Sequence, residues 1–208
     1  MKLSERLPTE REMVTQFGVS RVVVREAIRA LELSGFIRVK KGSGGGTFVA
    51  QNYDSSLIRS VSNFVEGGHE SIENLLEVRK LIEPYAAFKV SEQATKKEIS
   101  QLKSLLEKSE LLAASGEKIR PYNIRFHRMI LSFCHIPLLV AVGESVLLNI
   151  MGKIKNASSQ EISNNHLIFH RKIFNAIEAR DGELAKKIMY EDISSFSTLL
   201  KNLNSNGN

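Results

Sequence analysis

The chain has one cysteine, Cys134. That excludes an internal disulfide and fits a reducing cytoplasm. It has no apolar run long enough to span a bilayer, and its first residues, MKLSERL, lack the hydrophobic stretch of a secretory signal. Phosphate-cradling glycine loops and hydrolase nucleophile motifs are also missing, which removes the commonest enzyme signatures. No repeat recurs at a solenoid period, and low complexity is confined to the polar tail Asn202–Asn208. What remains is a chain of 208 residues, 42% apolar, which suits one small domain followed by one of ordinary size.

Charge is distributed unevenly between those parts. The net charge is +6, and residues 1–50 hold nine Lys/Arg against five Asp/Glu, a net of +4. The other 158 residues carry twenty and eighteen, a net of +2. A surplus concentrated in under a quarter of the chain favours a polyanionic partner over general solubility.

The basic region is organised around Leu7–Val49. Thr9 and Glu12 form a capping box: the Thr9 hydroxyl can accept the Glu12 amide while the Glu12 carboxylate returns to the Thr9 amide. With Pro8 in front, a helix is expected from Glu10, with Met13, Val14 and Phe17 as its apolar side and Gly18 as its stop. Ser20 caps a second helix reaching about Ser34, with Gly35 as a left-handed stop. Arg21, Arg25 and Arg29 recur every four residues and form one row, since each residue turns the helix by about 100°. Val24, Ala27, Ile28 and Leu31 fall on a neighbouring face suited to packing on the first helix. Guanidinium forks match phosphate oxygens and the guanine edge in the major groove. Phe36–Lys40 alternates as a strand and Thr47–Val49 returns, with Lys40, Lys41 and four glycines at the tip. A lone arginine row on a helix is as often a solvated face. The order of parts (capped helix, glycine turn, capped basic helix, glycine stop, basic hairpin) is that of a winged helix-turn-helix.

At LPTERE, FGVSRVVVREAIRALELSGFI and GSGGGTFV, covering nearly all of residues 3–50, the chain resembles the reader domain of the GntR family of bacterial transcription regulators. The resemblance implies that Arg11, Arg21 and Arg25 touch operator DNA, that Ser20 is a backbone-positioning cap, and that Lys41 and Gly42 form the wing tip that enters the minor groove. That family has a further helix of about five turns before the LP motif. Here Met1–Arg6 alone precede it, so the expectation is either a start internal to a longer reading frame or a lost supporting helix.

Residues 51–56 read as a polar linker. From Leu57 the periodicity is helical throughout. Seven helices are expected between residues 57 and 203, in an all-helical antiparallel bundle. They cover about Ser56–Val65 (stopping at Gly67-Gly68), Ile72–Gln93, a capped helix from Thr95 to near Gly116, Tyr122–Cys134, Pro137–Lys155, Glu161–Arg180 and Glu183–Leu203. Pro84 predicts a kink or break near Ile82. Residues 204–208 read as a tail. The fold class expected is therefore mainly α, a winged helix-turn-helix followed by the bundle.

ENLLEVRKLIEPYAA, NIRFHRMI and HRKIFNAIEARDGELAKKI resemble the helical ligand-sensing (FCD) domain of the FadR subgroup of the same family. That resemblance implies a divalent metal in the bundle core where a small organic acid binds. Its ligand pattern is a carboxylate or amide four residues before a histidine, then two histidines on later helices. Asn123, His127 and His170 match the first three positions, and Asp192 stands at the fourth. Two nitrogens and two oxygens suit zinc, manganese or nickel. Arg79, in the EVRKLIEP motif, is a candidate second anchor for the effector. A histidine on an apolar helix face is more often a hydrogen-bonded core residue than a ligand, and the match to the pattern is what raises His127 and His170. His166, one turn before His170, either replaces a ligand or is a surface residue. His69 and His135 read as bystanders.

The expected function is a cytoplasmic, homodimeric DNA-binding regulator, in the manner of a repressor. It would bind a near-palindromic double-stranded operator under control of an organic acid effector, without membrane contact. Lactate-like acids, sugar acids and dicarboxylates all suit a cationic pocket. Two other readings stay open: a metal-dependent enzyme on the bundle, using water activated at an open position, and a ligand-binding remnant with impaired DNA binding.

Overall fold

The computed structural model describes residues 4–50, 53–66, 71–153 and 160–205. The expected stop at Gly67-Gly68, His69 and the tail end Asn206–Asn208 lie outside the described residues. The chain divides into two compact units, Met1–Ser60 and Val61–Asn208.

The first unit contains α1 (Glu10–Phe17), α2 (Arg21–Leu33), β1 (Ile37–Lys40) and β2 (Gly46–Val49), in the order of a winged helix-turn-helix. The Thr9–Glu12 capping box is closed in both directions, and Gly18 ends α1 in the left-handed region at φ 64°. Ser20 caps α2 by accepting the Val23 amide at 3.3 Å. The strands pair antiparallel with Ile37 opposite Val49 and Lys40 opposite Gly46. Residues before α1 extend this ribbon. Leu7 N–H donates to Thr47 O at 2.8 Å and Val49 N–H donates to Glu5 O at 2.8 Å. The wing tip closes with Gly45 N–H donating to Gly42 O at 2.8 Å. A Cβ at Gly45 would lie 2.5 Å from the Lys40 carbonyl oxygen, so the turn admits no side chain there.

The apolar side of α2 departs from expectation. Val24 is buried, but Ala27 is exposed, Ile28 half-buried and Leu31 42% exposed. These residues join Leu7, Met13, Phe17, Val19 and Val23 around an open apolar groove of about 280 Å³. The physical reason is length. Eight residues of α1 form little more than two turns and cannot cover all thirteen of α2.

Helix α3 covers Tyr53–Glu66, so helix begins inside the segment expected to be linker. The second unit then consists of α4 (Ile72–Gln93), α5 (Lys96–Ala114), α6 (Arg120–Phe133), α7 (Pro137–Lys153), α8 (Gln160–Glu178) and α9 (Gly182–Ser205), which also takes in the first two residues of the expected tail. No strand occurs among the described residues beyond Val49. Thr95 and Glu98 form the second closed capping box, at the start of α5.

Helix α4 is the centre of the bundle. It packs on α6, α7, α8 and most extensively on α9, so it must be apolar around most of its circumference. Leu75, Leu76, Ala86, Ala87 and Val90 are all buried. Of the kink or break expected near Ile82, the break does not occur: α4 runs unbroken through Pro84. Packing on four neighbours holds the helix although the proline ring removes one backbone hydrogen bond. Phe126 and Ile130 of α6 and Phe174 and Ile177 of α8 belong to the same buried core. Fully burying a side chain of this size is worth roughly 1.5–3 kcal/mol.

At the start of α9 the contact with α4 leaves little room for a side chain. A Cβ on Gly182 would lie 2.7 Å from both Phe88 Cδ2 and Ser91 Oγ. Ser91 is itself fixed, donating its hydroxyl to Phe88 O at 2.7 Å. Gly182→Ala is therefore expected to lower stability by about 1–3 kcal/mol through overpacking, read as a reduced midpoint in urea unfolding. An unchanged midpoint would mean that α9 can shift away from α4 without penalty.

Candidate functional site

Two clusters of candidate functional side chains stand out, one in each unit. In the first, α2 presents Arg21, Arg25 and Arg29 on one exposed row, and Arg11 is exposed on α1. Arg25 Nε bonds Glu10 Oε2 at 3.0 Å, and Arg29 lies 3.7 Å from Glu26. Exposed pairs of this kind are worth at most about 1 kcal/mol, so a phosphate or a base edge can displace the carboxylate. Ser20 sits at the N-terminus of the same helix, where free amides favour an anion. Lys41 and Gly42 are exposed at the wing tip, and Gly42 has φ 89°.

The second cluster is buried where four helices meet. His127 comes from α6, His170 and His166 from α8, Asp192 from α9, and Arg79 with Glu83 from α4. All six are among the buried polar residues, with Glu83 at 0% and Asp192 at 1% exposure. His170 Nε2 and His127 Nε2 are 3.2 Å apart. Asp192 Oδ2 lies 3.4 Å from His127 Nε2 and 3.6 Å from His170 Nε2. Oδ2 has no hydrogen-bond partner although it is fully enclosed. An unsatisfied carboxylate oxygen in a core is costly unless something of opposite charge reaches it.

Those three distances form a triangle. Donors bound to one zinc ion at 2.0–2.1 Å in tetrahedral geometry stand roughly 3.3 Å apart. His127, His170 and Asp192 thus already have the separations of ligands to a common ion, and the residues present fit the group. The net charge of the cluster agrees. Counting the imidazoles as neutral, one guanidinium and two carboxylates leave a buried excess of one negative charge.

The side chains around the triangle fix its orientation. Glu83 Oε2 bonds His127 Nδ1 at 2.6 Å, and Arg79 donates to Glu83 through Nε and Nη2. The carboxylate accepts, so His127 Nδ1 carries the proton and the Nε2 lone pair is directed into the triangle, as carboxylates do behind metal-binding histidines. Burial alone would raise the Glu83 carboxyl, but the Arg79 charge and His127 outweigh it and hold the group at about 2. Asp192 is likewise pulled well below the usual carboxylate range. Burial opposes this, and the imidazoles of His166 and His170 override it. Burial drives His170 down to about 4, assisted by His127 and His166 and opposed by Asp192. His170 is therefore neutral near pH 7, the form that binds a metal. The Phe126 ring stacks on it at 4.2 Å and 17°.

Of the four ligands expected from the sequence, the structure brings His127, His170 and Asp192 together. Asn123 is one turn before His127 on α6, with its Oδ1 buried. Arg79 is in the cluster, but two of its nitrogens are committed to Glu83. His166, open between ligand and surface residue in the sequence, is neither exposed nor within the triangle. It donates from Nδ1 to Asp192 Oδ1 at 2.5 Å. His135 pairs with Glu98 at 3.0 Å, in the turn between α6 and α7. Glu83 was not singled out by the sequence. Its one signal was a carboxylate four residues after Arg79 in a helix otherwise apolar on that side.

Known proteins resemble both parts of the chain. Residues 1–49 match the family model described as bacterial regulatory proteins, gntR family. Residues 74–195 match the FCD domain. The chain is 30% identical over 204 residues to the Uxu operon regulator of Haemophilus influenzae, covering 95% of this chain and 74% of that protein. It is 29% identical over 203 residues to the galactonate operon transcriptional repressor of Escherichia coli, covering 95% and 88%. Identity to the HTH-type transcriptional regulator LutR of Bacillus subtilis is 26% over 206 residues, covering 96% and 93%. Among solved structures, a Streptococcus agalactiae GntR protein shares the fold with a TM-score of 0.64 at 24% identity, covering 95% of this chain and 90% of that one. E. coli McbR/YncC shares it at 0.54 and 20% identity, covering 98% and 90%.

Resistance of the buried His170 to protonation makes the fold sensitive to acid. An unfolded chain takes up a proton on this imidazole near pH 6.5, whereas the folded, metal-free chain resists it down to about 4. The stability attached to His170 is thus complete above about pH 6.5 and is lost as the pH falls to about 4, by on the order of 3 kcal/mol. Glu83 and Asp192 add a further loss below their unfolded values of about 4. Urea unfolding of the metal-free chain between pH 7 and pH 4 is expected to show this decline, and His170→Phe should remove most of it above pH 4.5. Equal slopes for the two chains would contradict it.

Proposed function

The chain belongs to the GntR family of bacterial regulatory proteins, with an FCD domain as its second part, and on that premise we propose how its two clusters work together. It is a DNA-binding transcription regulator, and no helix among the described residues is long and apolar enough to cross a membrane. We place its action in the cytoplasm as a homodimer, with each copy offering one α2 to half of a near-palindromic operator. Arg21 and Arg25 would read or clamp the major groove, Arg11 and the Ser20 cap would fix the backbone, and Lys41 and Gly42 would enter the minor groove.

In the second unit, His127, His170, Asp192 and the Asn123 amide oxygen would hold one divalent ion: zinc, manganese or nickel. The observation that carries this is the unpartnered Asp192 Oδ2 facing two imidazole nitrogens at 3.4 and 3.6 Å. Bound there, the ion would supply positive charge and open positions for the carboxylate of a small organic acid. One carboxylate ligand and neutral histidines leave the centre at +1, which suits an anionic effector in an otherwise apolar core. Arg79 would keep Glu83 in place and offer its remaining N–H groups to the same effector. Sugar acids fall within this class, and one relative is the repressor of a galactonate operon. Effector binding would shift operator affinity through a coupling free energy, and that coupling is reciprocal.

The relatives compared above are regulators, and we read the centre as a sensor and not as a catalyst. Of the two carboxylates here, Asp192 would itself be a ligand, and Glu83 is engaged by Arg79 and His127. Neither is placed as a general base.

Two experiments test this reading. Arg21→Ala or Arg25→Ala is expected to weaken operator binding by about 1–3 kcal/mol at fixed salt if the side chain reads a base, measured by fluorescence anisotropy. Parental affinity in both variants would remove α2 as the reading helix. Elemental analysis of the purified chain, after loading and desalting, is expected to give one divalent ion per chain, and His127→Ala should lose it. A parent that takes up no ion would end the metal reading and leave the DNA reading standing.

A further inference from the structure

Asp192 is an awkward metal ligand by itself. Its arm is short, and a carboxylate has two oxygens that can chelate one ion together or exchange places. In this bundle the choice is already made. Oδ1 accepts the His166 Nδ1 proton at 2.5 Å, while Oδ2 alone faces His127 and His170. His166 is 8% exposed, and its ring meets the Phe196 ring edge-on at 5.2 Å and 69°. It is therefore held by packing as well as by the hydrogen bond. The donor atoms that lie within 4.8 Å of one another come from His127, His170 and Asp192, without His166.

We propose that His166 is a positioning residue for the metal centre: by occupying Oδ1 of Asp192 it makes this carboxylate a one-oxygen ligand through Oδ2. The inference rests on the metal reading given above. Glu83 behind His127 and His166 behind Asp192 are then equivalent devices, each fixing one donor from the side away from the ion. Partners in such positions typically change metal affinity about 10–100-fold when removed. The hydrogen bond also draws charge from Asp192 and leaves the effector to meet a less neutralised ion. Loss of His166 would free Oδ1 to bind alongside Oδ2 and close a coordination position.

The test is calorimetric titration of the metal-free chain with Zn2+ and with Mn2+, for the parent, His166→Phe and His166→Asn. The asparagine amide can donate from nearly the same place as Nδ1, and phenylalanine cannot. One site per chain is expected throughout, with affinity reduced about 10–100-fold in the phenylalanine variant and largely restored in the asparagine variant. Pulsed EPR of the Cu2+-loaded chains should show two coupled imidazoles in all three. If His166→Phe does not fold, His166→Leu gives the same comparison. Parental affinity in the phenylalanine or leucine variant overturns the inference while the metal centre survives. Loss of one imidazole coupling in the His166 variants also overturns it, by making His166 a ligand. A parent that binds neither ion overturns both readings.

Discussion

The second unit depends on one buried carboxylate oxygen. Asp192 Oδ2 lies in a helical core at the meeting of α6, α8 and α9, within 3.6 Å of two imidazole nitrogens and without a hydrogen bond. Such an atom destabilises a fold by a few kcal/mol unless a cation or a proton reaches it. Every neighbouring feature bears on that constraint. Glu83 directs the His127 lone pair inward, burial keeps His170 neutral, and His166 takes the other oxygen. The Arg79–Glu83 pair is retained although a buried ion pair is weak evidence for stability. Its role here is to keep a carboxylate charged at the back of a histidine.

The first unit is governed by the opposite condition. Its candidate DNA-contacting groups are exposed, and Arg25 and Arg29 make surface pairs with Glu10 and Glu26. Its precision comes from caps and from a tight wing turn. The same helix that presents the arginines leaves an apolar groove open on another side. The two units thus divide the work by environment. Solvated cations with strong backbone positioning suit a polyanion, and desolvated donors around a small space suit a metal and a small acid.

Legibility from sequence followed the same division. The Thr9 and Thr95 capping boxes, the Ser20 cap, the arginine row and the hairpin were readable because each is local, set by residues within one turn of one another. The seven helices after the reader were readable from periodicity. Tertiary relations were not. Of the kink or break expected near Ile82, packing on four sides overrides the break, and the expected linker is partly helix. The half-open face of α2 reflects the shortness of α1. In the site, the residue types at positions 127, 170 and 192 were found through family resemblance. The partners behind them, Glu83 and His166, were not, since a contact 44 or 26 residues away leaves no trace in spacing. His166 falls one turn from His170, and that spacing alone could not separate ligand, support and surface.

On the proposed function, the metal centre and the arginine row belong to one switch. The most direct measurement is the affinity of the full chain for an operator selected from random duplexes, determined at fixed salt with a chelator, with the divalent ion, and with the ion plus a sugar-acid monocarboxylate. A change of about 5–150-fold is expected between liganded and unliganded centres. The same factor is expected in the affinity for the acid when operator is saturating. Operator affinity that is identical in all three conditions, for a chain shown to hold the ion and the acid, would contradict the switch.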